Sequence, residues 1–156
     1  MSPTAVCSAS SSCVRSRRTP RSILCALIVP PGGGGTFFAD MHAGYEGLSD
    51  ELEQRIQGRR GVHPVVRTQP ETGARSICVN SAFTTHIEHT EPAERARLLR
   101  HLYRQAAVPE YPCRFRWRRH SVAFRDDRAT QHYAAFDFRP HTRRVERVTI
   151  AGDRPR

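Results

Sequence analysis

Residues 126–147 read DDRATQHYAAFDFRPHTRRVER. His132 stands there among strand-like residues, and Arg143 and Arg147 follow it eleven and fifteen positions on. A neutral imidazole is a common ligand for first-row transition metals. A guanidinium donates two parallel hydrogen bonds in one plane, which suits a carboxylate or a sulfonate. One metal ligand followed by two anion clamps points to a metal site that grips small acidic molecules. Without further context Arg143 and Arg147 also fit a solvated strand face, because Arg144 alternates between them.

Outward from this stretch the chain reads as short strands with two helices. Positions 122–124 and 133–138 have strand composition. Positions 114–118 alternate arginine with Phe115 and Trp117, the pattern of a half-buried strand with a wet arginine face. Pro92 opens a helix whose stripe is Leu98, Leu99, Leu102 and Tyr103, a spacing that serves core packing. Residues 63–68 and 76–80 predict a hairpin across the turn at 69–73. Ser49 is placed to cap a second helix, with Asp50 and Glu51 in its first turn and Gly58 after it. An apolar strand at 23–29 runs into Pro30, Pro31 and four glycines. Residues 1–18 are rich in serine and arginine and offer little apolar surface, so they are expected to be disordered or unrelated. Residues 19–156 are then one domain. The front of the chain imitates a leader, but its apolar run is short and ends in prolines and glycines.

Composition narrows the partners. The chain has 156 residues, 38% of them hydrophobic, and a formal charge of +10. All 25 basic residues are arginine. They are spread along the chain, which fits codon usage better than a nucleic-acid surface, so nucleic acid is set aside as a partner. The five cysteines show neither a CxxC nor zinc spacing, and read as free thiols of a cytoplasmic protein. No apolar run is long enough to span a membrane, and an oligomer stays open.

The stretch resembles the taurine and alkylsulfonate dioxygenases, the TauD/TfdA type of iron(II)- and 2-oxoglutarate-dependent oxygenase. Gln131-His132-Tyr133, Arg143 and Arg147 match the family's spacing without a gap. Gly34-Gly35-Thr36-Phe37, His63-Pro64-Val65-Val66-Arg67-Thr68, Val79-Asn80, Phe83-Thr84-Thr85 and the ending Arg147-Val148-Thr149-Ile150-Ala151-Gly152-Asp153 fall in the family's order. The resemblance covers roughly residues 20–155 and implies the C-terminal portion of such an enzyme. It implies a mostly β, α+β fold, an incomplete double-stranded β-helix of the jelly-roll or cupin kind. It implies iron(II) on His132, 2-oxoglutarate held by Thr36 and Arg143, and a small anionic substrate, a sulfonate or carboxylate, at Phe83 and Arg147. The implied reaction hydroxylates that substrate and releases succinate and carbon dioxide.

Two departures qualify the expectation. The family supplies two iron ligands as His-x-Asp, and no His-x-Asp occurs in this sequence. A His-x-Glu does occur at His86-Ile87-Glu88, but it follows the Phe83 block of the pocket wall instead. The family's Trp-Asp-Asn-Arg is here Arg125-Asp126-Asp127-Arg128, which sets a charge at a part-buried position. The expected oxygenase is therefore impaired. The alternative is a basic binding protein without catalysis, or an inactive remnant.

Overall fold

The computed structural model describes residues 18–57, 64–82, 84 and 87–152. Expectations that rest on residues 1–17, Gly58, His63, Phe83, Thr85 or His86 lie outside the described residues.

Alternation of apolar and small residues builds the centre. Strand β1 (Arg18–Ile28) buries Ser22, Leu24 and Ala26, every second side chain, as a pleated strand with one dry face does. It pairs antiparallel with β6 (Val122–Asp126) and with β8 (Arg144–Gly152), in the order β6-β1-β8. A second three-stranded sheet is formed by β2 (Thr36–Asp40), β5 (Pro112–Phe115) and β7 (Thr130–Ala134), in the order β5-β2-β7. Leu24, Ala26 and Trp117 form the core that joins the two sheets, with Val29, Phe115, Ala123 and Val145 against it. The expected class, mostly β with helices, is the one observed.

A helical layer closes one side. Helix α1 (Met41–Glu46) follows β2 directly, and the Asp40 carboxylate accepts from the backbone N–H of His42 and Ala43. Helix α2 (Asp50–Ile56) is capped by Ser49, as its sequence predicts. Helix α3 (Pro92–Gln105) buries Leu98, Leu99 and Leu102. These side chains pack with Met41, Tyr45, Ile56, Val65, Ile77 and Ile87 into the larger core. The hairpin of β3 (Val66–Thr68) and β4 (Arg75–Ile77) lies against it, with Val66 opposite Ile77.

Several elements differ from their sequence reading: the strand read at 114–118 runs from Pro112 to Phe115, and the hairpin strands read at 63–68 and 76–80 are Val66–Thr68 and Arg75–Ile77. Helix α1 was not expected: six residues containing Gly44 are too short for a helical period to show. Strand β1 starts at Arg18, ahead of the apolar run, because pairing with β8 uses backbone groups and not side-chain hydrophobicity. The strand expected at 133–138 ends at Ala134. Beyond it Asp137 turns back to the glycine segment, accepting from the Gly34 N–H at 2.7 Å and from Arg114 at 2.5 Å.

Leu102 is fully buried where α3 meets the hairpin and α1. Leu102→Ala is expected to cost about 2–5 kcal/mol through lost transfer energy and an unfilled cavity. Equilibrium denaturant unfolding checks it, and a loss below about 1 kcal/mol would contradict this packing.

Candidate functional site

The space between the two sheets receives side chains whose direction is set by register. Arg147 lies opposite Leu24 and Arg125 opposite Ser22, so both share the inner face of the first sheet. In the second sheet His132 lies opposite Phe38 and Ala134 opposite Thr36, which brings Thr36 and His132 onto one face. Arg143 sits immediately before β8. A wet strand face is thus excluded for Arg143 and Arg147, which are both partly buried, while Arg144 between them is exposed and pairs with Glu146 at 2.6 Å.

One end of the space is rich in donors. The Thr36 hydroxyl oxygen, 1% exposed, accepts from Arg143 Nη2 at 3.0 Å and from Trp117 Nε1 at 2.9 Å. Two donors occupy both of its lone pairs, so the hydroxyl's own proton is left to donate. Beside it, Arg143 Nε is buried with no hydrogen-bond partner. Burial pulls the Arg143 guanidinium below its ordinary value, the direction expected for a cation that has lost water without gaining a carboxylate. Gly34 makes room for this arrangement. It sits at φ +65°, and a Cβ there would lie 2.9 Å from Pro30 and 3.0 Å from the Arg143 side chain.

Two positions along the same ladder, opposite Phe38, stands His132. Arg125 Nη1 lies 2.5 Å from its Nδ1. The same guanidinium donates from Nε to Ser22 Oγ at 2.9 Å and forms a short ion pair with Asp127. The charge that the sequence sets at a part-buried position is turned inward: the Arg125 and Asp127 side chains are 9% and 11% exposed. Burial first, then the guanidiniums of Arg125, Arg147 and Arg143, push His132 down to about 3, so the ring is neutral at physiological pH. Burial raises the Asp127 carboxyl against the pull of Arg125, and its Oδ2 is buried without a hydrogen-bond partner.

Strand β7 is clamped from outside this space. Gln131 Nε2 donates to the Val79 carbonyl at 2.8 Å, and Ser76 Oγ to the Arg128 carbonyl at 3.0 Å. Arg128, almost fully buried, bridges Asp126 and Glu71, and these partners raise it further. Thr36, Arg143, His132 and Arg147 therefore face one compartment, whereas Phe83 and His86 lie outside the described residues and Glu88 is exposed. Sequence reading treated Trp117 only as packing and Arg125 only as a departure. The period-two position of Trp117 told its face but not its hydrogen bond to Thr36.

Two antiparallel sheets with arginine side chains turned between them place the chain among jelly-roll folds. The sequence pattern of the taurine catabolism dioxygenase TauD, TfdA family matches residues 58–149, and the chain belongs to that family. The crystal structure of a taurine dioxygenase from Burkholderia xenovorans is similar, with a TM-score of 0.84 and 38% identity over 89% of this chain and 54% of that one. An alpha-ketoglutarate-dependent sulfate ester dioxygenase of Pseudomonas putida is 30% identical over 86% of this chain and 56% of its own length. An alpha-ketoglutarate-dependent sulfonate dioxygenase of Saccharomyces cerevisiae is 31% identical over 81% of this chain and 37% of its own length. The chain thus spans about half the length of the relatives it matches.

Among the described residues, the metal that this family implies finds no fitting donor set. Among the described residues no three His, Cys, Asp or Glu side chains are grouped to hold an ion. At His132 the contact on Nδ1 is a cation, where a ligating imidazole needs an acceptor behind it.

The depressed histidine makes a pH prediction. Between about 3 and its ordinary 6.5, the unfolded chain binds a proton at His132 that the folded protein does not. Stability falls as pH drops through that window, and Asp127, with its raised carboxyl, opposes this only just above its own ordinary value of 3.8. In chelator-treated protein, His132→Gln is expected to lessen the fall in Tm between about pH 7 and about pH 5. Identical slopes for both proteins would show that His132 is not held neutral.

Proposed function

We propose that this chain carries the anion-gripping portion of an alpha-ketoglutarate-dependent dioxygenase site of the taurine and alkylsulfonate type. Thr36 and Arg143 hold the distal carboxylate of 2-oxoglutarate, and Arg147, with Phe83, meets a small sulfonate or carboxylate substrate. The observation that carries this reading is the pair of unmatched donors, the Thr36 hydroxyl proton and Arg143 Nε, side by side in a dry place. A buried donor without an acceptor costs about 1–3 kcal/mol, and a carboxylate arriving there removes that cost. The related dioxygenases support the substrate class, since the two named above act on sulfonates and sulfate esters. Arg143 contributes charge and a planar fork, Thr36 a proton at Oγ1, and Trp117 fixes the hydroxyl so that this proton points away from both donors.

Binding is tested by thermal shift with 2-oxoglutarate, succinate and sulfate. A dicarboxylate at about a hundred times its Kd stabilises the protein by about 2.7 kcal/mol. Arg143→Gln is expected to weaken that binding at least tenfold, a loss of about 1.4 kcal/mol or more. Binding of equal strength in this variant would remove the proposed grip.

Turnover is a separate matter. With added iron(II), 2-oxoglutarate and a panel of sulfonates, succinate release is expected to stay near background. Release that His132→Ala abolishes would show that a competent metal site assembles after all.

A further inference from the structure

We infer that Arg125 is a built-in cation that holds His132 in the Nε2–H form and so keeps a metal ion off this ring. The inference stands on the contact between these two residues and not on the anion grip of Thr36 and Arg143.

A guanidinium has donors and no acceptor. At 2.5 Å from Arg125 Nη1, His132 Nδ1 must accept, and a neutral imidazole that accepts at Nδ1 carries its one proton on Nε2. Both nitrogens are then denied to a metal. An ion at Nδ1 would have to displace Arg125. An ion at Nε2 would need the ring proton moved to Nδ1, where it would face the Arg125 N–H head on. Ligating imidazoles show the opposite arrangement, with the far nitrogen donating to a carboxylate or carbonyl that raises its basicity.

Arg125 cannot swing aside easily. Its Nε donates to Ser22 Oγ at 2.9 Å, and Ser22 Oγ donates in turn to Asp127 Oδ1 at 3.1 Å. Asp127 closes the ring by its ion pair with Arg125. Withdrawing the guanidinium would leave a buried carboxylate uncompensated, and the Oδ2 of that carboxylate already lacks a partner. Two groups, Ser22 of β1 and Asp127 of the turn after β6, therefore fix the cation against the ring. The charge a divalent ion would bring is partly supplied by this fixed guanidinium, with Arg143 and Arg147 near the same ring.

The test reads the ring directly. Long-range nitrogen–proton NMR of the full chain, with His132 assigned by loss of its signals in His132→Gln, reports which nitrogen is protonated. We expect Nδ1 to appear unprotonated and Nε2 protonated, and equimolar Zn(II) to leave both unshifted. A protonated Nδ1, or a His132 shift at equimolar Zn(II), overturns the inference. The variant R125L/D127N removes the cation without stranding a carboxylate. In it Zn(II) should perturb His132 at a concentration lower by about tenfold or more. Equal sensitivity in the two proteins also overturns the inference. Should the variant fail to fold, the tautomer in the unaltered protein still decides the matter.

Discussion

The Thr36 hydroxyl is the point on which the two sheets agree. It begins β2, yet its oxygen takes one hydrogen bond from Trp117, past the end of β5, and one from Arg143, ahead of β8. A single buried oxygen thereby sets the distance between sheets at one end of the sandwich. The glycine segment before it is part of the same constraint. Gly33 and Gly34 both adopt positive φ, and a Cβ on Gly33 would meet the Asp137 carbonyl oxygen at 2.3 Å. Only glycine at 33 lets the backbone pass that close while the Gly34 N–H binds the Asp137 carboxylate.

Around His132, two positions along the same ladder, the geometry is held by charge. Arg125, Asp127, Ser22 and His132 form a connected set in which one guanidinium serves three partners. Such a buried pair need not add to net stability, because desolvation of both ions offsets their attraction. Its effect is on geometry, since breaking it leaves a lone charge in a dry place. The two neighbourhoods differ in what they ask of a ligand. Around Thr36 the donors lack acceptors, so an anion completes the site. Around His132 the imidazole already has its donor, so a cation competes with one in place.

The helical layer and the hairpin serve this geometry from outside. Leu98, Leu99 and Leu102 of α3 give the hairpin a surface to lie on, and the hairpin in turn binds β7 through Val79 and Ser76. Arg128 ties the turn before β7 to Glu71 in the hairpin loop. The strand that carries His132 is thus fixed on two sides, by β2 through the backbone ladder and by the hairpin through polar side chains.

Much of this was legible along the chain. The α3 stripe, the Ser49 cap, the hairpin and the alternation around Trp117 follow from local periodicity and capping chemistry, which depend on neighbours a few residues away. The spacing of His132, Arg143 and Arg147 marked them as candidates before any fold was known. What only the tertiary structure decided is which partners the buried polar groups find. Arg125 reaches Ser22 across 103 positions of sequence, and Arg143 reaches Thr36 across 107. A strand's period of two tells which face a side chain is on, but whether an inward arginine meets a carboxylate, a hydroxyl or an imidazole depends on the register of a distant strand. That register made Arg125, a charge read from sequence only as part-buried, the neighbour of His132.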